Sequence, residues 1–220
     1  MKIGILGGMG HFATINLYRR IISSIKVSRE NQYPHIVINS NPKIPSRTRA
    51  FLFNETSPVK GMIREAKVLE NTGVDYILIP CNSAHYFLPE VKKSVKTEIV
   101  DMVKLTCDYI KINYPKAKKV GIVGGEVILR STLYDDLLPM ETVKPEKYEE
   151  LRIRKMIDDV KHNKMNTENI NDLTKIMDSL IKKGAELVIL ACTELPLIPY
   201  NHKKVPVIDS TQRLVEYVNQ

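Results

Sequence analysis

Residues 76–85 read YILIPCNSAH, and residues 187–196 read LVILACTELP. In each stretch an apolar, strand-like run stops at a cysteine, Cys81 or Cys192. Small or hydroxyl-bearing side chains follow: Asn82 and Ser83 in the first stretch, Thr193 in the second. Runs that are apolar throughout suit parallel sheets covered by helices on both faces. In such sheets ligands bind beyond the carboxyl ends of the strands. Two cysteines at that place therefore mark candidate site residues.

Working outward, the same chain text returns. KIGILGG at 2–8 reappears as KVGIVGG at 119–125, and GVDYILIPC at 73–81 reappears as GAELVILAC at 184–192. Two similar α/β lobes related by a pseudo-twofold explain both echoes. The expected division is 1–103 for the first lobe and 104–206 for the second, with a last helix at about 207–220 returning to the first. Facing lobes would direct Cys81 and Cys192 into one cleft. Between the strands lie stretches of helical spacing: FATINLYRRIISSI, SPVKGMIREAKVLENTG, ILRSTLYDDLL, EKYEELRIRKMIDDVKHN and TENINDLTKIMDSLIKKG. In the second of these, Ser57 reads as the cap, Pro58 as the first helical residue and Gly73 as the terminator. The fold class expected is thus α/β, with two mainly parallel sheets flanked by helices.

Composition narrows the classes. The chain has 220 residues, 43% hydrophobic and 26% charged, as a soluble globular protein should. No apolar run approaches the roughly 20 residues of a membrane helix. MKIGILGGMG breaks into glycines too early for a signal peptide, so a cytosolic protein is expected. Three cysteines then read as free thiols. The net charge of +8 comes from lysines scattered among acids on amphipathic stretches, which describes a solvated surface rather than a nucleic-acid footprint. No zinc-ligand spacing occurs.

Several motifs need weighing. GGMGHFA, with Gly8, Gly10 and Ala13 after a strand, has the form of a dinucleotide fingerprint. The fingerprint also wants an acid at the end of the second strand, where Asn39 and Asn41 stand instead. The turn is better read as one that presents backbone N–H groups to a carboxylate. Arg47, between Ser46 and Thr48 in a polar loop, is either a surface residue or a bidentate carboxylate clamp. His85 is either a base or a residue that orients its loop. Cys107, among apolar residues on a helix, reads as core filling. Cys81 and Cys192, by contrast, sit where turn dipoles should lower a thiol pKa.

At GILGGMG, IPSRT, PCNSAHYF, VGIVGGE and LACTELPLI the sequence resembles the aspartate/glutamate racemase family, the amino-acid racemases that work without pyridoxal phosphate, and aspartate racemases above all. The resemblance spans nearly the whole chain. It implies two pseudo-symmetric α/β lobes, no cofactor, no metal, a small amino-acid substrate, no nucleic-acid or membrane partner, and a homodimer. It also implies that Cys81 and Cys192 are the catalytic pair. Met9, Arg47, Thr48, Asn82, Ser83, Lys161, Thr193 and Glu194 become the substrate-binding set, with Arg47 and Lys161 on the side-chain carboxylate and Glu194 near Cys192. One departure stands out. The family carries hydroxyls after its central strand, and this chain has Gly125, Glu126, Val127 and Ile128 there.

The chemistry implied is proton transfer at an α-carbon by a thiolate and a thiol on opposite faces, with aspartate the first substrate and glutamate the next. Two other readings stay open: a non-catalytic dicarboxylate or amino-acid binding protein on the same fold, and a related isomerase or decarboxylase.

Overall fold

The computed structural model describes residues 1–220 and divides them into two compact units. Unit 1 comprises Met1–Met102 with Thr211–Gln220, and unit 2 comprises Val103–Ser210.

Unit 1 runs β1 (Lys2–Gly7), α1 (His11–Ser24), β2 (His35–Ser40), α2 (Arg47–Phe53), α3 (Val59–Asn71), β3 (Tyr76–Leu78), α4 (Leu88–Lys92) and β4 (Glu98–Ile99). The chain then enters α5 (Met102–Asn113), β5 (Lys119–Gly124), α6 (Glu126–Arg130), β6 (Glu141–Val143), α7 (Lys147–Lys161), α8 (Thr167–Lys182), β7 (Leu187–Ala191) and β8 (Val207–Asp209). The last helix, α9 (Ser210–Val218), belongs from Thr211 onward to unit 1.

Each unit holds one four-stranded sheet, ordered β2-β1-β3-β4 in the first and β6-β5-β7-β8 in the second. Every pairing is parallel. The repeated sequence is thus a repeated topology: β1 and β5 are counterparts, as are β3 and β7. Crossover helices reach β3 and β7 in the same way. On α3 the buried positions are Val59, Gly61, Met62, Glu65, Ala66 and Leu69, and on α8 they include Leu173, Ile176, Met177 and Leu180. That spacing puts one apolar stripe against each sheet. Both helices end at a glycine with positive φ, Gly73 at 72° and Gly184 at 97°, which a left-handed terminator requires. Each central strand lets its crossover helix come close. A Cβ on Gly4 would stand 3.4 Å from Leu69, and one on Gly121 would stand 3.1 Å from Leu180.

Several local expectations need correcting. Arg47 does not lie in a loop; it opens α2, which Ser46 caps through its Oγ and the Arg49 N–H at 3.3 Å. Helix α3 starts at Val59 with Pro58 just outside it, although the Ser57 hydroxyl still accepts from the Val59 N–H at 3.3 Å. The helix expected over ILRSTLYDDLL is only the five-residue α6, because Ser131 takes an extended backbone, φ −94° and ψ 170°, and breaks it.

Candidate active site

At the end of β3 the ladder stops early. Pro80 has no N–H to give it, and β3 ends at Leu78. The chain folds tightly round the proline, the Cys81 N–H donating to the Ile79 carbonyl at 2.8 Å. Cys81 then heads a short 3-10 turn over Asn82–Phe87. Its carbonyl accepts from the Ala84 N–H at 3.1 Å and from His85 Nδ1 at 2.9 Å. Cys81, Asn82 and His85 are buried and Ser83 is half-buried. His85 Nε2 in turn receives the Met102 N–H, 3.1 Å away. Since Nε2 accepts, the proton sits on Nδ1 and the ring is neutral. Burial lowers the His85 pKa, against the nearby Asp101 carboxylate and the Cys81 and Val100 carbonyls, which raise it. His85 therefore ties the Cys81 carbonyl to the N–H that opens α5.

The β1–α1 turn supplies Met9, which is 4% exposed. Gly8 is required there: its φ is 84°, and a Cβ would lie 2.4 Å from the Asn41 backbone. The Gly8 N–H donates to Thr14 Oγ1 at 3.3 Å, so it is already committed within the turn. Asn39 and Asn41 are also committed. Their amides donate to Glu65 at 2.9 and 2.7 Å. Burial pushes the Glu65 carboxyl up, but hydrogen bonds from Arg64, Asn39 and Asn41 outweigh it and hold its pKa below the usual carboxylate value.

Arg47 and Met9 are brought together. Arg47 Nη2 donates to the Met9 carbonyl at 3.2 Å and Nη1 to the Pro45 carbonyl at 3.0 Å. Arg47 Nε is buried without a hydrogen-bond partner. A guanidinium so braced by backbone leaves its Nε–H unspent. Thr48, next in α2, is half-buried.

In unit 2, β7 runs to Ala191, opposite Gly124, and Cys192 follows directly. The Cys192 thiol donates to Glu194 Oε2 at 3.1 Å, and Thr193 Oγ1 reaches the same oxygen at 3.3 Å. Glu194 is 4% exposed, and its Oε1 is buried with no partner. Burial pushes the Cys192 thiol well above its ordinary pKa; the Glu194 carboxylate pushes it further, and the Lys161 ammonium opposes them. This corrects the expectation that both strand-end thiols are acidified. The only helical turn after Cys192 is the three residues Leu195–Leu197, too short for a dipole to offset burial beside an anion. Lys161, the exposed last residue of α7, is thus within electrostatic reach of Cys192. Where family hydroxyls were expected, Val127 and Ile128 are buried in α6 and Gly125 caps it. Cys107 is wholly buried in the unit 2 core, as core filling requires.

The whole chain resembles known proteins. The chain is 29% identical to the broad specificity amino-acid racemase RacX of Bacillus subtilis over 97% of its own length and 95% of that protein. It superposes on the Picrophilus torridus aspartate racemase with a TM-score of 0.86 at 27% identity, covering 99% of this chain and 92% of that one. An aspartate racemase homologue from Pyrococcus horikoshii gives 0.75 at 26% identity, covering 99% and 97%. A sequence model of the Asp/Glu/Hydantoin racemase family matches residues 6–218. The chain therefore belongs to the Asp/Glu/Hydantoin racemase family and is an isomerase of the amino-acid racemase kind.

Proposed function

We propose that the chain racemises an acidic amino acid, aspartate first and glutamate next, using Cys81 and Cys192 as a thiolate/thiol pair. The observation that carries this is the pairing of the cysteines. Each follows the counterpart strand of its own unit, β3 or β7, in sheets of identical order. Inversion needs the α-proton removed from one face and a proton delivered to the other. From L-aspartate, Cys192 Sγ takes the α-proton and Cys81 Sγ–H supplies the new one; Cys81 is left as thiolate, ready for the D-enantiomer. Before the L direction can run, Cys192 must lose its own proton, and Glu194 Oε2 lies within reach to accept it.

Substrate charge supports the acidic choice. Arg47 brings a guanidinium beside Met9, and Lys161 adds positive charge near Cys192. Asn82, Ser83 and Thr193, with backbone N–H groups, supply donors for the α-carboxylate as the carbanion forms. Met9 and Thr48 complete the binding set beside Arg47. A cytoplasmic homodimer without pyridoxal phosphate goes with this reading. A second reading, broad substrate acceptance, draws on the broad specificity of the Bacillus relative and on the apolar Val127 and Ile128 where the family carries hydroxyls.

The test is a circular dichroism assay of dialysed, reduced protein with L-aspartate, L-glutamate and several neutral amino acids. Loss of the aspartate signal to a racemic end point, insensitive to hydroxylamine, is expected. Faster turnover of neutral amino acids favours the second reading. No turnover of any of them leaves a binding protein.

A further inference from the structure

His85 is the one titratable side chain joined directly to the backbone of Cys81. Its ring is 3% exposed, and both nitrogens serve main-chain groups: Nδ1–H holds the Cys81 carbonyl, and Nε2 holds the Met102 N–H. Met102 opens α5, whose first-turn N–H groups have no partner within the helix. One neutral imidazole thus ties the cysteine's peptide to the head of a helix. With the Ile79 and Ala84 bonds, the Cys81 backbone is held on both sides, at φ −159° and ψ 104°. The direction of the Cα–Cβ bond follows, which confines Sγ to the few places that staggered χ1 rotamers reach from it.

From this geometry we infer that His85 is a positioning residue for Cys81, setting where its sulfur stands during proton transfer. The inference rests on the proposed two-thiol chemistry. What makes it specific is the second cysteine. The residue corresponding to His85 is Pro196, which carries no side-chain donor, and there Glu194 touches the thiol itself. A change at His85 should therefore damage the Cys81 half of the reaction and leave the Cys192 half alone.

Single-cysteine parents separate the halves. Cys192→Ala keeps Cys81 and exchanges the α-proton of D-aspartate in heavy water; Cys81→Ala keeps Cys192 and exchanges that of L-aspartate. Into each we would place His85→Gln, whose amide can stand in for Nε2 but not for Nδ1, and His85→Asn, whose amide can stand in for Nδ1. With Cys81 as the surviving thiol, His85→Gln should slow exchange of D-aspartate by about tenfold to a hundredfold, the cost of a misplaced reacting group. His85→Asn should recover most of that loss. With Cys192 as the surviving thiol, both substitutions should leave exchange of L-aspartate near its parent rate, which also shows that the protein is folded. Equal losses in both backgrounds, or no loss of D-aspartate exchange, overturn the inference. Parents that exchange neither enantiomer show that the two-thiol reading has failed before His85 is touched, and the inference falls with it.

Discussion

Past Leu78 the chain turns round Pro80 and reaches Cys81 after two further residues, whereas β7 continues to Ala191 and delivers Cys192 directly. Proline and alanine at corresponding positions account for the difference, since only alanine can extend the ladder. Past the cysteines the contrast grows. Cys81 is fixed through its backbone, by a neutral histidine that stays off the sulfur. Cys192 is fixed through its sulfur, by a buried carboxylate. Duplicated topology has been kept while the surroundings of the two thiols diverged. Fold symmetry is set by burying helix stripes on sheets; thiol chemistry is set by one or two neighbours and drifts independently of it.

Removing either sulfur is the harshest way to break the comparison. Cys81→Ala and Cys192→Ala should each abolish net racemisation, while each keeps solvent exchange at one enantiomer. Stability should separate them. Cys81 packs within the unit 1 core at 8% exposure, so its loss should cost about 1 kcal/mol in a denaturant titration, whereas the half-buried Cys192 should cost less. Racemisation at the wild-type rate in either variant would end the two-base assignment.

A smaller effect is expected at Arg47. Lysine keeps the charge but loses the planar fork that reaches the Met9 and Pro45 carbonyls and presents Nε. Arg47→Lys should lower kcat/KM for aspartate by about 2–4 kcal/mol of transition-state binding. An unchanged value would show that Arg47 merely braces α2 against the β1–α1 turn.

The mildest change sharpens the contrast most. Glu194→Gln removes the anion beside Cys192, so the thiol should ionise at lower pH and react faster with iodoacetamide at a fixed mildly alkaline pH. Stability follows the same sign. A thiol whose pKa is raised by folding stabilises the native state below the unfolded thiol value of about 8.5. That contribution disappears as pH rises through the folded value. Wild type should therefore lose denaturant resistance above about pH 8.5 more steeply than Cys192→Ala, which lacks the group. Parallel curves for the two would show that Cys192 is not held as a thiol.

Much of this was legible in the sequence. The paired echoes KIGILGG/KVGIVGG and GVDYILIPC/GAELVILAC announced the duplicated α/β fold, because both sets of residues must pack a helix closely on a parallel sheet. Gly73 marked a helix end for another reason, the left-handed backbone of a terminator. What stayed hidden depends on contacts rather than on pattern. Helix α2 is short and rich in arginine, so its stretch read as a polar loop. Past the extended Ser131, Tyr134 and Leu138 are buried, and their helical spacing in the sequence belongs to turns rather than to a continued helix. Glu194 beside Cys192 was anticipated from resemblance, but the direction in which it moves the thiol was not, because burial reverses what the short turn alone suggests. His85 could not be resolved from sequence, since base and brace need the same residue.

The unlike surroundings of the two thiols meet a thermodynamic limit. Enantiomers have equal free energies in water, so the interconversion has an equilibrium constant of one whatever catalyses it. A racemase must then show the same kcat/KM for the L and D forms. A carboxylate on one sulfur and a histidine behind the other cannot favour a product; the asymmetry can appear only as a higher kcat in one direction, matched by a proportionally higher KM. Whichever enantiomer the cell supplies in excess, the site runs toward a racemic mixture, and a steady supply of one hand must come from a later step that withdraws it.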